Sequence, residues 1–412
     1  MASAPSRIVI VGASLGGASA AVGLRERGFD GEVLLIGAED HLPYERPPLS
    51  KALLLGERDE PDWVQDAGYY EAHGIELVRR TVVTAVDRQR HVVTTAGAEH
   101  PYDKLLLATG STPRRLGMPG DQLDGIVTLR TWDDALALRK RLIAGANIVI
   151  VGAGWIGCEV AAAARHHGAS VTVIEPASQP LVRVVGEQVG AAFADLHREH
   201  GVDLRLGVGV TGILGGAGGV ESIQLSDGSS LPAETVVVGV GVKPNVELAE
   251  AAGLDLADRG VAVNATLQSS DPDIYAVGDI AAHDHPRYDG RVRVEHWAAA
   301  KDQGAHVAGN LLGADDPYEL RPFFFSDQYD LGCEYRGLAD PARDELVLRG
   351  DLSSREFTAF WLRAGGVVAA MNVNQWDDGD SLQALVDSGG PLTAEQMPDT
   401  DPRPDQGAPD VR

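Results

Sequence analysis

The sequence predicts an α/β protein with two doubly wound dinucleotide-binding domains followed by a smaller C-terminal α+β domain. Two observations predict this fold class. A strand, a glycine-rich turn and an alanine-rich helix occur twice in that order, and short alternating strands dominate from about residue 322. With 412 residues, of which 44% are hydrophobic, the chain is long enough to form more than one core.

The first βαβ unit begins with the apolar run 7–11, continues through a helix to about residue 27 and ends with the strand 32–36. Between strand and helix lies Gly12-Ala13-Ser14-Leu15-Gly16-Gly17. A turn of this kind lets backbone N–H groups and the helix dipole hold a pyrophosphate. Ser14 replaces the middle glycine of the usual motif, so a tight turn that binds no ligand stays an alternative.

The second unit repeats this order, with strands over 147–151 and 170–174, and its turn is Gly152-Ala153-Gly154-Trp155-Ile156-Gly157. This turn matches the dinucleotide fingerprint fully, and Glu175 follows about twenty residues later at the end of the next strand. A carboxylate there accepts hydrogen bonds from the adenosine ribose and repels a 2′-phosphate, and no basic residue follows it directly. The second unit therefore predicts a preference for NADH over NADPH. In the first unit, Glu39 is the candidate ribose-binding acid.

Later runs predict how the chain divides into domains. Apolar runs at 236–238 and 261–263 and a predicted helix from Ala299 to Leu312 indicate a return to the first domain. The end of the chain is rich in Pro, Asp, Gln and Gly and is predicted to be a disordered tail. The predicted limits are 1–115 with 245–320 for the first dinucleotide-binding domain, 116–244 for the second, 321–390 for the C-terminal domain and 391–412 for the tail.

Composition excludes several classes of function. The only cysteines, Cys158 and Cys333, are far apart and form no metal-binding or redox motif, so any redox cofactor is expected to be organic and no metal site is predicted. The net charge of −25 disfavours nucleic acid and anionic membranes as partners. No apolar stretch is long enough to span a membrane, and no signal peptide is recognised, so a cytoplasmic protein is expected.

Two further turns carry a resemblance to a known family. Ala108-Thr109-Gly110-Ser111 follows a predicted strand, and Ala276-Val277-Gly278-Asp279 ends another. In order with the first glycine-rich loop, these turns resemble the two-dinucleotide-domain flavoproteins related to glutathione reductase. The resemblance implies that Asp279 binds the ribityl chain of FAD and that the second loop receives the nicotinamide dinucleotide.

Three runs indicate a branch of that family. No redox-active cysteine pair exists, and the region where related peroxidases carry a cysteine reads Pro43-Tyr44-Glu45-Arg46-Pro47-Pro48-Leu49-Ser50-Lys51. This run, Glu295-His296-Trp297 and Phe324-Phe325-Ser326-Asp327-Gln328 resemble the oxygenase-coupled, FAD-dependent ferredoxin reductases of the putidaredoxin reductase type. The resemblance covers about residues 7–388. Phe325 stands where this family often has tryptophan, and Ala38 where it often has an acid.

The resemblance also implies roles for single residues. Lys51 is expected near the reactive edge of the flavin, paired with Glu159, and Trp297 is expected to flank the ring. Each residue also has a plain structural alternative: Lys51 as a helix cap or a side chain in solvent, Glu159 as the start of a helix, and Trp297 as a core residue. The predicted FAD contacts are Gly12, Ser14, Leu15, Gly17, Glu39, Arg46, Lys51, Val83, Ala108, Thr109, Gly110, Arg130, Gly278, Asp279 and Trp297, and the predicted NADH contacts are Gly152, Gly154, Trp155, Ile156, Gly157, Glu159, Glu175 and Gly241.

The expected activity is that of an NADH:ferredoxin reductase. Hydride passes from NADH to FAD, and single electrons then pass to an iron–sulfur ferredoxin, expected to be of the two-iron type, which feeds a haem monooxygenase or ring-hydroxylating dioxygenase. Arg287, Arg291 and Arg293 are the candidate surface for an acidic ferredoxin. Two alternatives stay open: an NADH oxidase or peroxidase, and an NADH-sensing flavoprotein resembling apoptosis-inducing factor.

Overall fold

The computed structural model describes residues 5–393, so the predicted tail lies outside the described residues except for its first three. Within this range, no helix is long and apolar enough to cross a membrane. Two short 3-10 helices cover Pro47–Ser50 and Gly278–Ile280. The α-helices of the described range are α1 (Leu15–Glu26), α2 (Ala52–Leu55), α3 (Tyr69–Ala72), α4 (Trp132–Arg139), α5 (Trp155–His166), α6 (Val182–Glu199), α7 (Glu247–Ala251), α8 (Trp297–Leu311) and α9 (Gly379–Ser388).

The strands of the same range form several sheets. They are β1 (Arg7–Val11), β2 (Glu32–Ile36), β3 (Ile75–Val78), β4 (Val83–Asp87), β5 (Val92–Thr95), β6 (Glu99–Pro101), β7 (Lys104–Leu107), β8 (Ser111–Pro113), β9 (Ile126–Val127), β10 (Asn147–Val151), β11 (Ser170–Glu175), β12 (Asp203–Leu206), β13 (Val210–Gly216), β14 (Gly219–Leu225), β15 (Ser230–Pro232), β16 (Thr235–Val238), β17 (Val242–Pro244), β18 (Leu256–Ala257), β19 (Gly260–Val263), β20 (Ile274–Ala276), β21 (Ala281–Asp284), β22 (Arg291–Val292), β23 (Phe323–Gln328), β24 (Leu331–Gly337), β25 (Glu345–Asp351), β26 (Glu356–Arg363) and β27 (Gly366–Val373).

Two five-stranded parallel sheets form the centres of the nucleotide-binding units. The first has the order β20-β7-β1-β2-β3 and the second the order β12-β11-β10-β16-β9. The central strands β1 and β10 are apolar after their first residues, Arg7 and Asn147, because both faces are buried. The strand β20 joins the first sheet although it follows the whole second unit in sequence. The chain therefore does return to its first unit.

A third sheet, β23-β24-β27-β26-β25, is antiparallel throughout and is packed against α9. Its inner face shares one hydrophobic core with the second parallel sheet, in which Phe193 of α6 and Trp361 of β26 are fully buried. The predicted fold class, two doubly wound units and a C-terminal α+β unit, is confirmed. Each large sheet lies within one predicted domain, and the residue limits of the domains stay a prediction.

Some elements are not evident from the sequence pattern. The helix α6 was not predicted, and it contains a non-helical residue, Gly186, with a φ of 79°. The antiparallel sheets β4-β5-β6 and β13-β14-β15 were not predicted either. The helix α8 begins at Trp297, two residues before the predicted start.

A glycine in α8 sets how closely this helix approaches α1. A Cβ atom at Gly304 would lie 2.2 Å from the backbone oxygen of Gly16, whereas a Cβ at Gly309 of the same helix would meet its nearest atom at 3.4 Å. We expect Gly304→Ala to lower the free energy of unfolding by about 1–3 kcal/mol, despite the better helix propensity of alanine. Urea unfolding measures this. Gly309→Ala is the matched control and should be neutral or slightly stabilising, and equal effects of the two changes would contradict the packing argument.

Acid sensitivity is expected where α6 meets the C-terminal sheet. Nε2 of buried His197 lies 3.0 Å from Oε1 of Gln328, and burial lowers the pKa of His197 to about 4. In the unfolded chain a histidine pKa is about 6.5, so the unfolded state binds the extra proton between these values and stability is lost as pH falls from about 6.5 to 4. We expect His197→Gln to flatten this loss in thermal unfolding measured at several pH values. The exposed His166→Gln is the control and should leave the profile unchanged.

Candidate active site

The two glycine-rich turns have the same geometry. Gly12 and Gly152 follow the central strands with φ values of +117° and +103°, and a Cβ at either would lie within 2.5 Å of a carbonyl oxygen of the adjacent segment. At Gly17 and Gly157, one turn into each helix, a Cβ would lie 2.0 Å from the carbonyl oxygen of the first glycine. Only glycine allows these approaches, so each helix begins directly above the end of its strand.

The helices that follow these turns begin without a side-chain cap. Ser14 and Gly154 are the N-cap residues of α1 and α5, both extended, and neither α1 nor α5 receives a capping hydrogen bond from a side chain. No atom lies within 4 Å of a Cβ built at Gly154. The first N–H groups, from Leu15 in α1 and Trp155 in α5, are thus available to an anion. Both turns fit the pyrophosphate of a dinucleotide.

Two hydrogen bonds orient the carboxylate of Glu175 at the end of β11. Glu175 accepts hydrogen bonds from the backbone N–H groups of Ala153 (2.8 Å) and Ala177 (2.9 Å), which tie it to the glycine-rich turn. Ile156 is exposed at the start of α5, and Gly241 lies between β16 and β17 with a φ of +90°. These residues surround the open carboxyl end of the second sheet, where dinucleotides bind in such folds.

The first unit differs at the corresponding position. Ile36 pairs with Val11 as Ile174 pairs with Val151, so Gly37 rather than Glu39 is the counterpart of Glu175. A Cβ at Gly37 would lie 2.6 Å from that of Ala13. The carboxylate of Glu39, two residues further on, accepts hydrogen bonds from Arg46 (2.8 Å) and from the Tyr44 hydroxyl (2.5 Å). Its role toward a ribose stays a prediction.

Asp279 lies at a polar corner beyond the carboxyl end of the first sheet. Its carboxylate accepts hydrogen bonds from Arg130 (2.8 Å) and from the Ser111 hydroxyl. Burial lowers the pKa of Arg130, and the nearby carboxylate of Asp279 opposes this shift. The N–H of Gly278 donates to Oε1 of Gln303 (2.8 Å) in α8. The predicted residues Arg130, Gly278 and Asp279 are thus brought together.

The turn Ala108-Thr109-Gly110 follows β7 and faces the same corner. The Thr109 hydroxyl donates to the backbone oxygen of Asn245 (2.7 Å), and the Asn245 amide donates back to the backbone oxygen of Thr109 (2.9 Å). Gly110 has a φ of +65°, and a Cβ there would lie 3.3 Å from the Arg130 guanidinium. Val83, by contrast, lies in β4 within the first hydrophobic core and shares no polar contact with this corner.

A buried carboxylate joins three separate parts of the chain. Glu159 in α5 is 3% exposed, and its Oε1 lies 2.8 Å from Lys51 Nζ and accepts a hydrogen bond from the Ser326 hydroxyl at 2.7 Å. Its Oε2 accepts a hydrogen bond from the Ser50 hydroxyl. The structure thus brings the predicted pair Lys51 and Glu159 together, and it adds one hydroxyl from the first unit and one from the C-terminal sheet.

A pair of aromatic rings lies on one side of Lys51. Its ammonium group lies 5.1 Å from the centroid of the Phe325 ring, and the Trp297 ring meets Phe325 edge to face at 6.0 Å. The indole Nε1 of Trp297 and Nδ1 of the adjacent His296 are buried without a hydrogen-bond partner, and burial lowers the pKa of His296 to about 4. These two buried polar atoms have no partner within the protein, and they lie in the region of the Lys51 ammonium group and of the corner around Asp279. Such an arrangement fits a polar, planar ring system such as that of FAD.

Sequence reasoning did not single out several residues of this arrangement. Ser50 and Ser326 lie inside the runs that indicate the branch of the family. The sequence did not indicate that both serines donate to the carboxylate of Glu159. Ser111 also lies inside a run that carries the resemblance to the family, 108–111. Gln303 and Asn245 carry no local signal, because their partners lie more than 20 residues away in sequence.

The three arginines predicted to receive a partner all bond to groups within the protein. Arg291 donates to the backbone oxygens of Val263 and Ala282, and Arg293 donates to those of Asp258 and Asp279 and pairs with Glu295. Arg287 pairs with Glu319. Arg287 and Arg293 are thus paired with carboxylates, whereas Arg291 is exposed and pairs with no carboxylate among residues 5–393. The docking role of Arg287, Arg291 and Arg293 stays a prediction.

Comparison with known proteins places the chain in a family. Residues 6–304 match the pyridine nucleotide-disulphide oxidoreductase family, and residues 323–403 match the reductase C-terminal family. The chain is 42% identical over 396 residues to the ferredoxin–NAD(+) reductase component of the anthranilate 1,2-dioxygenase system of Burkholderia cepacia, covering 95% of this chain and 96% of that protein.

Solved structures agree with this similarity. The ferredoxin reductase for the CYP199A2 system from Rhodopseudomonas palustris has a TM-score of 0.91 and 37% identity, covering 96% of this chain and 98% of that one. Putidaredoxin reductase in its covalent complex with putidaredoxin has a TM-score of 0.89 and 38% identity, covering 93% of this chain and 94% of that one. The chain therefore belongs to the pyridine nucleotide-disulphide oxidoreductase family, among the ferredoxin–NAD(+) reductases of oxygenase systems.

Proposed function

We propose that this protein is an FAD-dependent NADH:ferredoxin reductase that supplies single electrons to a two-iron ferredoxin and, through it, to an oxygenase in the cytoplasm. The observation that carries the proposal is the position of the Lys51–Glu159 pair, 2.8 Å apart, where the two dinucleotide-binding units meet. A donor held by the second unit and an acceptor held by the first would face each other there. When bound, FAD accepts hydride from NADH and releases electrons one at a time to a one-electron carrier.

Residues of the first unit would hold FAD. The turn at Gly12, Ser14, Leu15 and Gly17 offers backbone N–H groups to the pyrophosphate. Asp279 and Arg130 form the polar corner for the ribityl chain and phosphates, with Ala108, Thr109, Gly110 and Gly278 giving close approach of the backbone. We also assign Glu39, Arg46 and Val83 to this site on the resemblance alone.

Residues of the second unit would hold NADH. Gly152, Gly154 and Gly157 shape the turn below α5, with Trp155 and Ile156 at the start of the helix and Gly241 on the opposite side. Glu175 would accept hydrogen bonds from the adenosine ribose, and its negative charge would disfavour a 2′-phosphate. The site therefore favours NADH.

Lys51, Glu159 and Trp297 are assigned to the reacting region. Glu159 is held by three donors and in turn holds the ammonium group of Lys51 at a defined position, so that one positive charge is fixed beside the site. Phe325 lies next to this ammonium group, and Trp297 contacts Phe325 edge to face. These residues act through position and charge, since neither a nucleophile nor a metal is required.

The cysteines give no support to a cysteine-dependent peroxidase. Cys158 and Cys333 are both buried, and burial raises the pKa of each thiol well above its usual range. A thiolate is the reactive form of cysteine, so neither side chain is suited to attack a peroxide.

The proposed function is tested with the purified protein. We expect a flavin absorption spectrum that bleaches when NADH is added without oxygen, and NADH-dependent reduction of an added two-iron ferredoxin. Flavin that bleaches but is reoxidised rapidly by oxygen alone, with no transfer to the ferredoxin, would favour the oxidase. Flavin that bleaches extremely slowly while NADH changes the oligomeric state would favour the sensor. A colourless protein that FAD does not reconstitute would refute the proposal.

The choice between NADH and NADPH is tested at Glu175. We expect the double change Glu175→Ser with Ala177→Arg to lower the NADH to NADPH ratio of kcat/KM by roughly 10- to 150-fold, because a charged hydrogen bond contributes about 1.5–3 kcal/mol. Steady-state reduction of ferricyanide with each donor measures the ratio. Glu221→Lys, an exposed change in β14, is the control for a general charge effect. An unchanged ratio in the double variant would show that Glu175 does not select the donor.

A further inference from the structure

A second lysine lies beside the proposed reacting region and has no role in the mechanism given above. Lys301 lies in α8, four residues after Trp297, and side chains at this spacing are neighbours on the surface of a helix. Its ammonium group lies 4.9 Å from the centroid of the Trp297 ring, which is within the range of a cation–π contact. Lys301 is exposed, so this contact forms where α8 meets solvent.

The orientation of the Trp297 indole depends on contacts of its ring. Its Nε1 is buried, and no group among residues 5–393 accepts a hydrogen bond from it. The ring meets Phe325 edge to face at 6.0 Å, and the Lys301 ammonium group lies over it. Both contacts have a preferred geometry, because the face of an aromatic ring is negative and its edge is positive. They are therefore suited to fix the angle of the indole.

These contacts close a ring through three parts of the chain. Lys301 Nζ lies 3.9 Å from Oε1 of Glu45, which belongs to the same segment, 43–51, as Lys51. The Lys51 ammonium group in turn lies 5.1 Å from the centroid of the Phe325 ring. In order, the contacts run from Glu45 through Lys301, Trp297 and Phe325 to Lys51 and so return to the segment where they began. Trp297 lies in the middle of this ring.

The two partners of Lys301 differ in what they contribute. Its ion pair with Glu45 is long and partly exposed, and such pairs add little to stability. The carboxylate nevertheless attracts the ammonium group towards the side of α8 on which Trp297 lies. The contact with the indole requires a positive charge, since a methionine at the same place would keep an apolar chain of similar length and lose the attraction to the ring face.

We propose that Lys301 is a positioning residue, which holds the Trp297 indole against Phe325 and thereby fixes the aromatic pair that borders the flavin. This inference rests on the proposed function, because Trp297 borders a flavin only where FAD binds as proposed. Lys301 acts through Trp297, so the loss of its charge has an effect only while the indole is present.

The experiment is a double-mutant cycle with two readouts other than activity. FAD is removed from the wild type, Lys301→Met, Trp297→Leu and the variant with both changes, and each apoprotein is titrated with FAD to obtain Kd. The fluorescence decay of the bound flavin is then recorded, because a nearby indole quenches flavin fluorescence to an extent that depends on its distance and orientation. Lys301→Arg, which keeps a cation over the ring, is the conservative variant.

A matched control is available at the opposite end of the first parallel sheet. Lys104, the first residue of β7, also combines a carboxylate with an aromatic ring. Its Nζ lies 2.7 Å from Oδ1 of Asp273 and 6.0 Å from the centroid of the Tyr275 ring. Lys104→Met therefore removes the same charge from similar surroundings, at the end of the sheet away from the glycine-rich turn.

We expect Lys301→Met to raise the Kd for FAD by about two- to fivefold, the factor that corresponds to a cation–π contact at an exposed site. The flavin fluorescence decay should become more heterogeneous, because the indole then takes up more than one orientation. Lys301→Arg and Lys104→Met should behave as the wild type. In the Trp297→Leu background, Lys301→Met should have no further effect on either readout.

Three results would overturn the proposal. The first is an unchanged Kd and decay in Lys301→Met. The second is a shift of the same size in the Trp297→Leu background, since Lys301 would then act through its charge and not through the indole. The third is an equal shift in Lys104→Met, which would reflect the general loss of a positive charge.

Failure of the proposed function gives a different result, a wild-type apoprotein that binds no FAD. The contact between Lys301 and Trp297 is then tested by near-ultraviolet circular dichroism of the apoprotein, in which the difference between the wild type and Trp297→Leu identifies the signal of this indole. Lys301→Met should reduce that signal, and Lys301→Arg should preserve it. An unchanged signal in Lys301→Met would show that Lys301 does not position the indole.

Discussion

The buried carboxylate of Glu159 is the constraint on which the arrangement of the three units depends. A carboxylate removed from water is strongly destabilising unless charged and polar partners replace the solvent. Its partners are Lys51 and Ser50 from the first unit and Ser326 from the C-terminal sheet, while Glu159 itself belongs to the second unit. Full satisfaction of this one group requires all three units to be in place together. The same contacts that satisfy Glu159 also fix the position of the Lys51 ammonium group.

The second constraint is the close approach of strand, turn and helix backbone in each nucleotide-binding unit. Both units meet it with glycines at the same positions of the turn. In both nucleotide-binding units a glycine follows the central strand with a positive φ, and another glycine lets the helix begin directly above it. The units differ where their ligands are expected to differ. Glu175 stands at the end of the second strand of one unit, whereas Gly37 takes the corresponding place in the other and leaves room for Ala13.

Several arginines direct their donors into the protein. Arg130 and Arg293 donate to the carboxylate and the backbone oxygen of Asp279, and thereby brace the corner beyond the first sheet. Arg291 donates to backbone oxygens of Val263 and Ala282. Carboxylates such as Asp327 and Asp377 are left at the surface beside exposed Trp376. A strongly acidic composition therefore does not preclude basic groups at the site.

The sequence by itself determined the fold class, the two dinucleotide-binding turns and the family, because each depends on residues close together in the chain. Apolar strands, glycines that permit a positive φ and a carboxylate at a strand end are all local features. The runs around Lys51, Trp297 and Phe325 were recognisable for the same reason. The antiparallel sheets β4-β5-β6 and β13-β14-β15 were missed, since strands such as β13, which contains three glycines, show no regular alternation of apolar and polar residues. The helix α6 was missed because Gly186 interrupts its pattern.

Only the tertiary structure decided which distant groups share a partner. Ser50 and Ser326 are separated by more than 270 residues, yet both donate to the carboxylate of Glu159. Arg293 looked like a surface charge in the sequence, but the fold directs its guanidinium to the backbone oxygen of Asp279. The physical reason is the same in both cases: hydrogen bonds and burial depend on proximity after folding, and a linear pattern of residue types does not contain that distance.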